Sequence, residues 1–421
     1  VPEIVLSDKQ ADAVRDIRDW FLRRTADQQV FRLFGYAGTG KSTIVKFVLD
    51  ELGLDDGEVL QACFTGKAAF VLQRKSGMTC STIHRLIYRV SEPSDAEIAA
   101  ACRKLDERET AALGLTGSER VAADAEIAAL QMALKEMRQP RFGLNEESPV
   151  RDCRLVVLDE VSMVGPEMAV DLLSFEKPIL VLGDPGQLPP IRGEGAFTAQ
   201  APDVMLTEIH RQAAESAVIR LATMARQGIV IPYGQHDEFV WKMSARDVTA
   251  AQLLKGGQVI CGLNATRFSL NNGMRKAAGF LNGPLPSGSG EKIICLKNDP
   301  SLGLLNGMFV TLDDVQGFDE QRFRATVTTE EGDLIGALPM YAGHFVDHEK
   351  FDKQRDERDW KVKKLLVEAT FGWAITCHKA QGSQWENVII VDDKWGRGRA
   401  DRNRWLYTAI TRAEGGLVIL D

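Results

Sequence analysis

A chain of 421 residues with 44% hydrophobic side chains is long enough to bury more than one core, and about two to four domains are expected. The formal net charge of −8 excludes a uniformly basic surface, so any nucleic-acid partner would need a local basic groove. The seven cysteines stand singly, without a CxxC pair, a signal-peptide pattern or an apolar run of membrane-spanning length; zinc frameworks, disulfide scaffolds and membrane partners are not expected, and a reduced cytosolic protein is.

Taken in chain order, Phe31–Phe34 is a short apolar run that runs into a glycine-rich turn, Gly35-Tyr-Ala-Gly-Thr-Gly40-Lys41-Ser42. Ile44, Val45, Val48, Leu49 and Leu52 then recur at helical spacing. A strand, this turn and a helix form a phosphate-binding loop: glycines let N–H groups converge on an anion, and the helix adds its positive end. Gly38, Thr39, Gly40, Lys41, Ser42 and Thr43 are the candidate ATP-binding residues, with Lys41 reaching the β and γ phosphates and Ser42 ligating Mg²⁺. The plainer alternative is a glycine-rich turn in some other α/β protein.

Residues 88–150 are rich in Ala, Glu, Arg and Leu and fit two helices joined near Gly114–Ser118. Leu155–Leu158 and Ile179–Leu182 are continuous apolar runs, as parallel strands covered on both faces require. The first runs into Asp159 and Glu160. Asp159 is placed to hold Mg²⁺ through water and Glu160 to take a proton from an attacking water, although a kinase remains an alternative at this point. A second α/β pattern starts at Gln258–Cys261, with Asn264 as the expected cap of the next helix. Between about 290 and 345 short β runs with Gly and Asp turns suggest a small barrel inserted in the second domain, and 348–364 reads as a solvated helix face. The α/β pattern resumes with 388–391, a helix through Trp405–Arg412 and a last strand at 417–420.

Asp159-Glu-Val-Ser-Met163 followed by Leu182-Gly-Asp-Pro-Gly-Gln187-Leu-Pro-Pro190 resembles a superfamily 1 helicase. Thr65-Gly-Lys-Ala-Ala69, Ser81-Thr-Ile-His84, Thr376-Cys-His378-Lys-Ala-Gln-Gly382-Ser383 and Tyr407-Thr-Ala-Ile-Thr-Arg412 resemble, in order, further motifs of the 1B (RecD/Dda-like) 5′→3′ branch, some of whose members are phage-encoded. One departure is Cys63-Phe64, where that branch usually has Ala-Pro. The resemblance implies two RecA-like doubly wound parallel-sheet domains of α/β class, a helical insertion in the first and a small SH3-like β-barrel insertion in the second. Their implied bounds are 1–87 with 151–212, 88–150, 213–289 with 366–421, and 290–365.

The resemblance further implies Gln10 as an adenine-reading residue, Gln187 at the γ-phosphate or attacking water, where it couples hydrolysis to the strand-binding face, Arg211 and Arg412 as arginines reaching that phosphate, and Gly382 at the nucleotide. Phe64, Thr65, His84, Thr376 and His378 are the implied contacts to DNA. For Phe64 both stacking on a base and filling the core stand open, and so they do for Trp373 and Trp385. Arg397, Arg399, Arg402 and Arg404 either track phosphates or form a solvated loop, and Tyr407 reads as a packed helix residue. The implied function is an ATP-dependent helicase that translocates 5′→3′ on single-stranded DNA and opens duplex junctions. The implied protein is a monomer in the cytoplasm, with replication or recombination proteins as further partners. A remodelling ATPase that does not unwind, and an RNA helicase, are the rival readings.

Overall fold

The computed structural model describes residues 6–91, 95–137, 141–190, 193–209, 215–280, 283–299, 302–317, 322–346 and 366–421. Arg211 and the charged stretch 348–364 lie outside the described residues. Residues 6–86, 149–346 and 366–421 belong to one compact unit, which contains both parallel sheets, while 87–148 belong to another.

The first sheet has strands in the order Cys80–Thr82, Val59–Cys63, Leu155–Asp159, Ile179–Gly183, Val30–Gly35, Val204–Leu206. All its pairs are parallel, with Leu158 opposite Val181 and Leu33 opposite Leu182. Both faces are covered, which is why the strands read as unbroken apolar runs. On one face Ala13, Ile17 and Phe21 of the helix Asp8–Arg23 and Ile44 and Val48 of the helix Lys41–Leu52 meet Leu33, Leu155 and Leu180. Burying each such side chain is worth roughly 1.5–3 kcal/mol before conformational entropy is charged.

The second sheet runs Ala374–Thr376, Gln258–Cys261, Trp385–Val391, Ala413–Leu420, Val240–Met243, Gly234–Asp237; only its last pair is antiparallel. Two features here differ from the sequence expectation. Leu263, not Asn264, occupies the cap position of the helix Asn264–Ala277, because the Asp393 carboxylate accepts the Gly262 and Leu263 N–H groups. The C-terminal helix is Arg399–Ile410, so Arg412 stands beyond its end and just ahead of the last strand.

Between Gln258–Cys261 and Ala374–Thr376 the chain forms a five-stranded antiparallel sheet in the order Leu334–Tyr341, Arg322–Thr329, Phe309–Gln316, Lys292–Cys295, Ala369–Phe371. It has its own core around Leu312, Phe323, Val327 and Phe345. The smaller unit holds an antiparallel pair, Tyr88–Ser91 with Arg141–Leu144, and two helices, Asp95–Ala112 and Gly117–Met137, paired by Arg108–Glu126.

Candidate functional site: a nucleotide cavity and a neighbouring groove

The strand Val30–Gly35 ends where no side chain fits: a Cβ on Gly35 would lie 2.5 Å from Thr39 Oγ1. Gly38 and Gly40 then take φ of +80° and +75°, the left-handed backbone that glycine adopts without strain. The helix Lys41–Leu52 starts directly after. Lys41 Nζ donates to the carbonyls of Gly35 (2.7 Å) and Tyr36 (3.2 Å), so its ammonium spans the loop.

Asp159 ends the strand Leu155–Asp159, and Glu160 follows it. Asp159 accepts from Ser42 Oγ at 2.9 Å and from the Glu160 N–H at 2.7 Å. Burial, and next the charge of Glu160, push the Asp159 carboxyl up. Glu160 itself sits at φ 53°, ψ 44°, a left-handed conformation that costs a non-glycine residue on the order of 1 kcal/mol.

Arg412 reaches this carboxylate from the second sheet's side, with Nη1 at 3.9 Å from Glu160 Oε1. Arg412 is 3% exposed, and its guanidinium donates to Thr408 O, Ser383 O and Thr411 Oγ1, which fix its direction. Gln187 Oε1 accepts from Ser162 Oγ at 3.4 Å. Gly38, Gly40, Lys41, Ser42, Thr43, Asp159, Glu160, Gln187, Gly382 and Arg412 all line one cavity of about 370 Å³.

Two candidates stand apart from that cavity. Gln10 is 2% exposed and its carboxamide is engaged at both ends, accepting from the Ser7 N–H and donating to Thr39 O at 3.1 Å. It clamps the loop backbone and does not line the cavity. Thr39 is 1% exposed, and its hydroxyl donates to Tyr36 O. Conversely, Asp184 lines the cavity and Tyr407 bonds to it, although Asp184 carried no role in the sequence reading and Tyr407 read as packing alone. Cys63 is fully buried on the cavity wall.

The site suits a magnesium nucleotide. Ser42 and Asp159 put a hydroxyl and a buried carboxylate side by side at the phosphate loop, and the charge of a bound cation would offset the burial that raises Asp159. Among the described residues no group of three or more His, Cys, Asp or Glu could hold a metal. Mg²⁺ does not need one, because it takes one or two carboxylates and completes its shell with phosphate and water.

Phe64, Thr65, Thr376 and His378 line a second cavity of about 300 Å³, together with Lys67, Arg267, Asn306 and Lys379. His84 is not in its wall; its ring meets that of Phe64 edge-on, with centroids 6.1 Å apart. Burial lowers both His84 and His378, which keeps them neutral at pH 7. The Thr65 hydroxyl accepts the Ala68 N–H as a helix cap. Phe64 is only half-buried and faces this groove, whereas Trp373 stacks on Phe371 at 14° and Trp385 packs on Phe309. In the basic run, Arg399 donates to Gly228 O and Arg402 to Asp392, so these two are committed within the fold. Among the described residues, no helix is long and apolar enough to cross a membrane.

Residues 5–238 match the AAA domain family, and residues 371–420 match the UvrD-like helicase C-terminal domain. The chain is 28% identical to the ATP-dependent RecD2 DNA helicase of Deinococcus radiodurans over 93% of its own length and 47% of that protein's; it therefore spans about half of this relative. Among solved structures, it is similar to Bacteroides Pif1 bound to single-stranded DNA (TM-score 0.53, 17% identity, 99% of this chain and 92% of that one). It is also similar to Pif1 in a structure of two coordinating Pif1 helicases at forked double-stranded DNA (TM-score 0.54, 18% identity, 99% and 92%). At such identities these two likenesses speak for the fold.

Proposed function

We propose that this chain, a member of the AAA domain family, is an ATP-driven DNA helicase of the superfamily 1B, RecD- and Pif1-like group, moving 5′→3′ on single-stranded DNA. The observation that carries this reading is the meeting of Lys41, Glu160 and Arg412 in one cavity, the first two from one parallel-sheet lobe and the third from the other.

In this reading the lobes are RecA-like domains of 1–87 with 151–212 and 213–289 with 366–421. Residues 88–150 are a helical insertion, and 290–365 are an SH3-like accessory insertion. Lys41 and the loop N–H groups bind the β and γ phosphates. Ser42 and Asp159 would hold Mg²⁺, which would supply charge neutralisation at the phosphates. Glu160 takes the proton of the attacking water, Gln187 orients that water, and Arg412 stabilises charge spread over the transferred phosphoryl oxygens. Arg211 joins Arg412 in that role, and the Gly382 backbone approaches the nucleotide. Gln10 acts through its grip on Thr39 O. The tracked strand runs through the groove of Phe64, Thr65, Thr376 and His378, with His84 supporting Phe64. Its contacts are to phosphates and by stacking, since a translocase must tolerate every sequence. ATP between the lobes favours closure and hydrolysis removes that preference, so each cycle moves the grip.

The test is unwinding of duplexes with 5′ or 3′ tails, in DNA and in RNA, by the wild type, Lys41→Ala and Glu160→Gln. The expected result is unwinding of 5′-tailed DNA by the wild type alone, with both variants still binding the strand. Turnover that oligonucleotides fail to stimulate, or unwinding retained in either variant, overturns the reading. Stimulated turnover without unwinding marks a remodelling ATPase, and a preference for RNA tails marks an RNA helicase.

A further inference from the structure

Leu188 follows Gln187 directly, and both of its backbone groups are held by the opposite lobe. Its N–H donates to Thr408 Oγ1 at 2.9 Å, and its carbonyl accepts from Gln381 Nε2 at 3.0 Å. All three residues are buried, at 1%, 0% and 4% exposure. Gln381 also lines the groove of Phe64, Thr65 and His378, whereas Gln187 lines the nucleotide cavity. A single carboxamide and one backbone step thus separate the wall of one cavity from a working residue of the other. The remaining oxygen of Gln381 is buried without a partner among the described residues, so the side chain has one engaged end and one open end.

We infer that Gln381 is a positioning residue: it transmits occupancy of the strand groove to Gln187 through the Leu188 carbonyl, with Thr408 gripping the N–H of the same residue. This rests on the strand-driven ATPase proposed above. An occupant of the groove presses on the wall that holds Gln381. Because the peptides on both sides of Leu188 are pinned, this residue moves with that wall instead of sliding past it, and Gln187 follows in the nucleotide cavity. Neither Gln381 nor Thr408 touches the reacting atoms in this scheme. Their effect is on how strongly an oligonucleotide accelerates turnover.

The experiment measures the stimulation factor, turnover with saturating oligothymidylate divided by turnover without it, for wild type, Gln381→Leu, Thr408→Val and the double variant. Oligonucleotide affinity is measured in parallel by fluorescence anisotropy. Each single variant is expected to lower the factor by about tenfold, roughly what one buried hydrogen bond is worth. The double variant is expected to be no lower, since both act through one residue, Leu188. Gln381→Leu is expected to change oligonucleotide affinity less than it changes the factor. If either folded single variant keeps the factor within about twofold of wild type, or if the two losses multiply, the inference is overturned. A Gln381→Leu chain that fails to fold leaves Thr408→Val to decide by the same criterion. A wild type that shows no stimulation at all defeats the underlying function, a result seen before any variant is compared.

Discussion

Tyr407 donates its hydroxyl proton to Asp184 Oδ2 at 2.5 Å, while the Tyr407 hydroxyl oxygen accepts the Ala37 N–H at 2.9 Å. Asp184 belongs to the turn after the strand Ile179–Gly183, and Ala37 to the phosphate loop. Tyr407 comes from the helix Arg399–Ile410 on the other lobe. Asp184 Oδ1 accepts the Gly186 N–H at 2.9 Å, which fixes the carboxylate. A Cβ on Gly186 would lie 2.8 Å from the Tyr407 ring, so the glycine makes room for the aromatic side chain. One hydroxyl thereby ties the phosphate loop, the second acidic turn and the opposite lobe together.

Tyr407→Phe keeps the ring and removes that tie. It leaves the Ala37 N–H without its acceptor and Asp184 with one donor fewer. The expected loss is about 1–3 kcal/mol of stability, as for other buried groups left without a partner. Urea unfolding followed by far-UV dichroism measures it, and turnover of ATP should fall in the same variant. An unfolding midpoint and a turnover both equal to wild type would show that the tie contributes nothing.

Gly382 makes a second contact between the lobes. It sits at φ +78°, and a Cβ there would come within 2.7 Å of Ala68 Cβ, on the helix Gly66–Ser76, and 2.9 Å of Thr65 Oγ1, its N-cap. Gly382→Ala adds about 1–2 kcal/mol of backbone strain and a clash that only separation of the lobes relieves. ATP turnover should fall by about tenfold or more, the rate equivalent of such a cost. A steady-state phosphate-release assay that finds wild-type turnover would refute the steric argument.

The parallel strands were legible because continuous apolar runs have few other uses, and the phosphate loop because glycine, lysine and hydroxyl spacing encodes its geometry. Lys41, Ser42, Asp159, Glu160 and Gln187 fall along one cavity, and each stands at or beside a strand end that the hydrophobic pattern marks. What stayed hidden depends on contacts between distant segments. Tyr407 lies 223 residues from Asp184, and no local pattern distinguishes a packed tyrosine from one whose hydroxyl bridges two lobes. The same holds for Gln381 and Leu188, 193 residues apart. Gln10 adds a contact that its position did not announce: its carboxamide bonds to Ser7 and to the Thr39 carbonyl.

The groove offers a prediction that separates charge from stacking. Lys379 lines it and donates to Asn306 Oδ1 at 3.0 Å, while Phe64 presents a half-buried ring. His378 is neutral at pH 7 because burial lowers it. Lys379→Met should therefore flatten the slope of log affinity against log salt for single-stranded DNA by about 0.7 for each phosphate that the lysine neutralises. Phe64→Leu should weaken binding by about 1–3 kcal/mol with the slope unchanged, as removal of a stacking ring does. Fluorescence anisotropy over a salt series measures both. Identical slopes for wild type and Lys379→Met would remove Lys379 from the phosphate path.

The five-stranded sheet joins the second parallel sheet through a lysine whose charge is expensive. Lys292 Nζ donates to Gln258 Oε1 at 2.8 Å and lies 4.4 Å from the Phe309 ring centroid. Gln258 Nε2 in turn donates to the carbonyls of Gly372 and Trp373. Burial pulls the lysine from its ordinary 10.5 down to about 8. Between these two values the unfolded chain holds the proton and the folded chain has released it, so the unfolded state binds more protons and stability rises with pH. Below pH about 8 both states are protonated, and the cost of burying the charge is fully present. Relative to Lys292→Met, the wild type should gain on the order of 1–2 kcal/mol across that window, after allowance for residual solvent screening. The difference between the two chains isolates Lys292 from other groups that titrate nearby. Denaturant unfolding at half-unit pH steps measures it, and parallel curves for the two chains would show that Lys292 keeps its proton in the folded state.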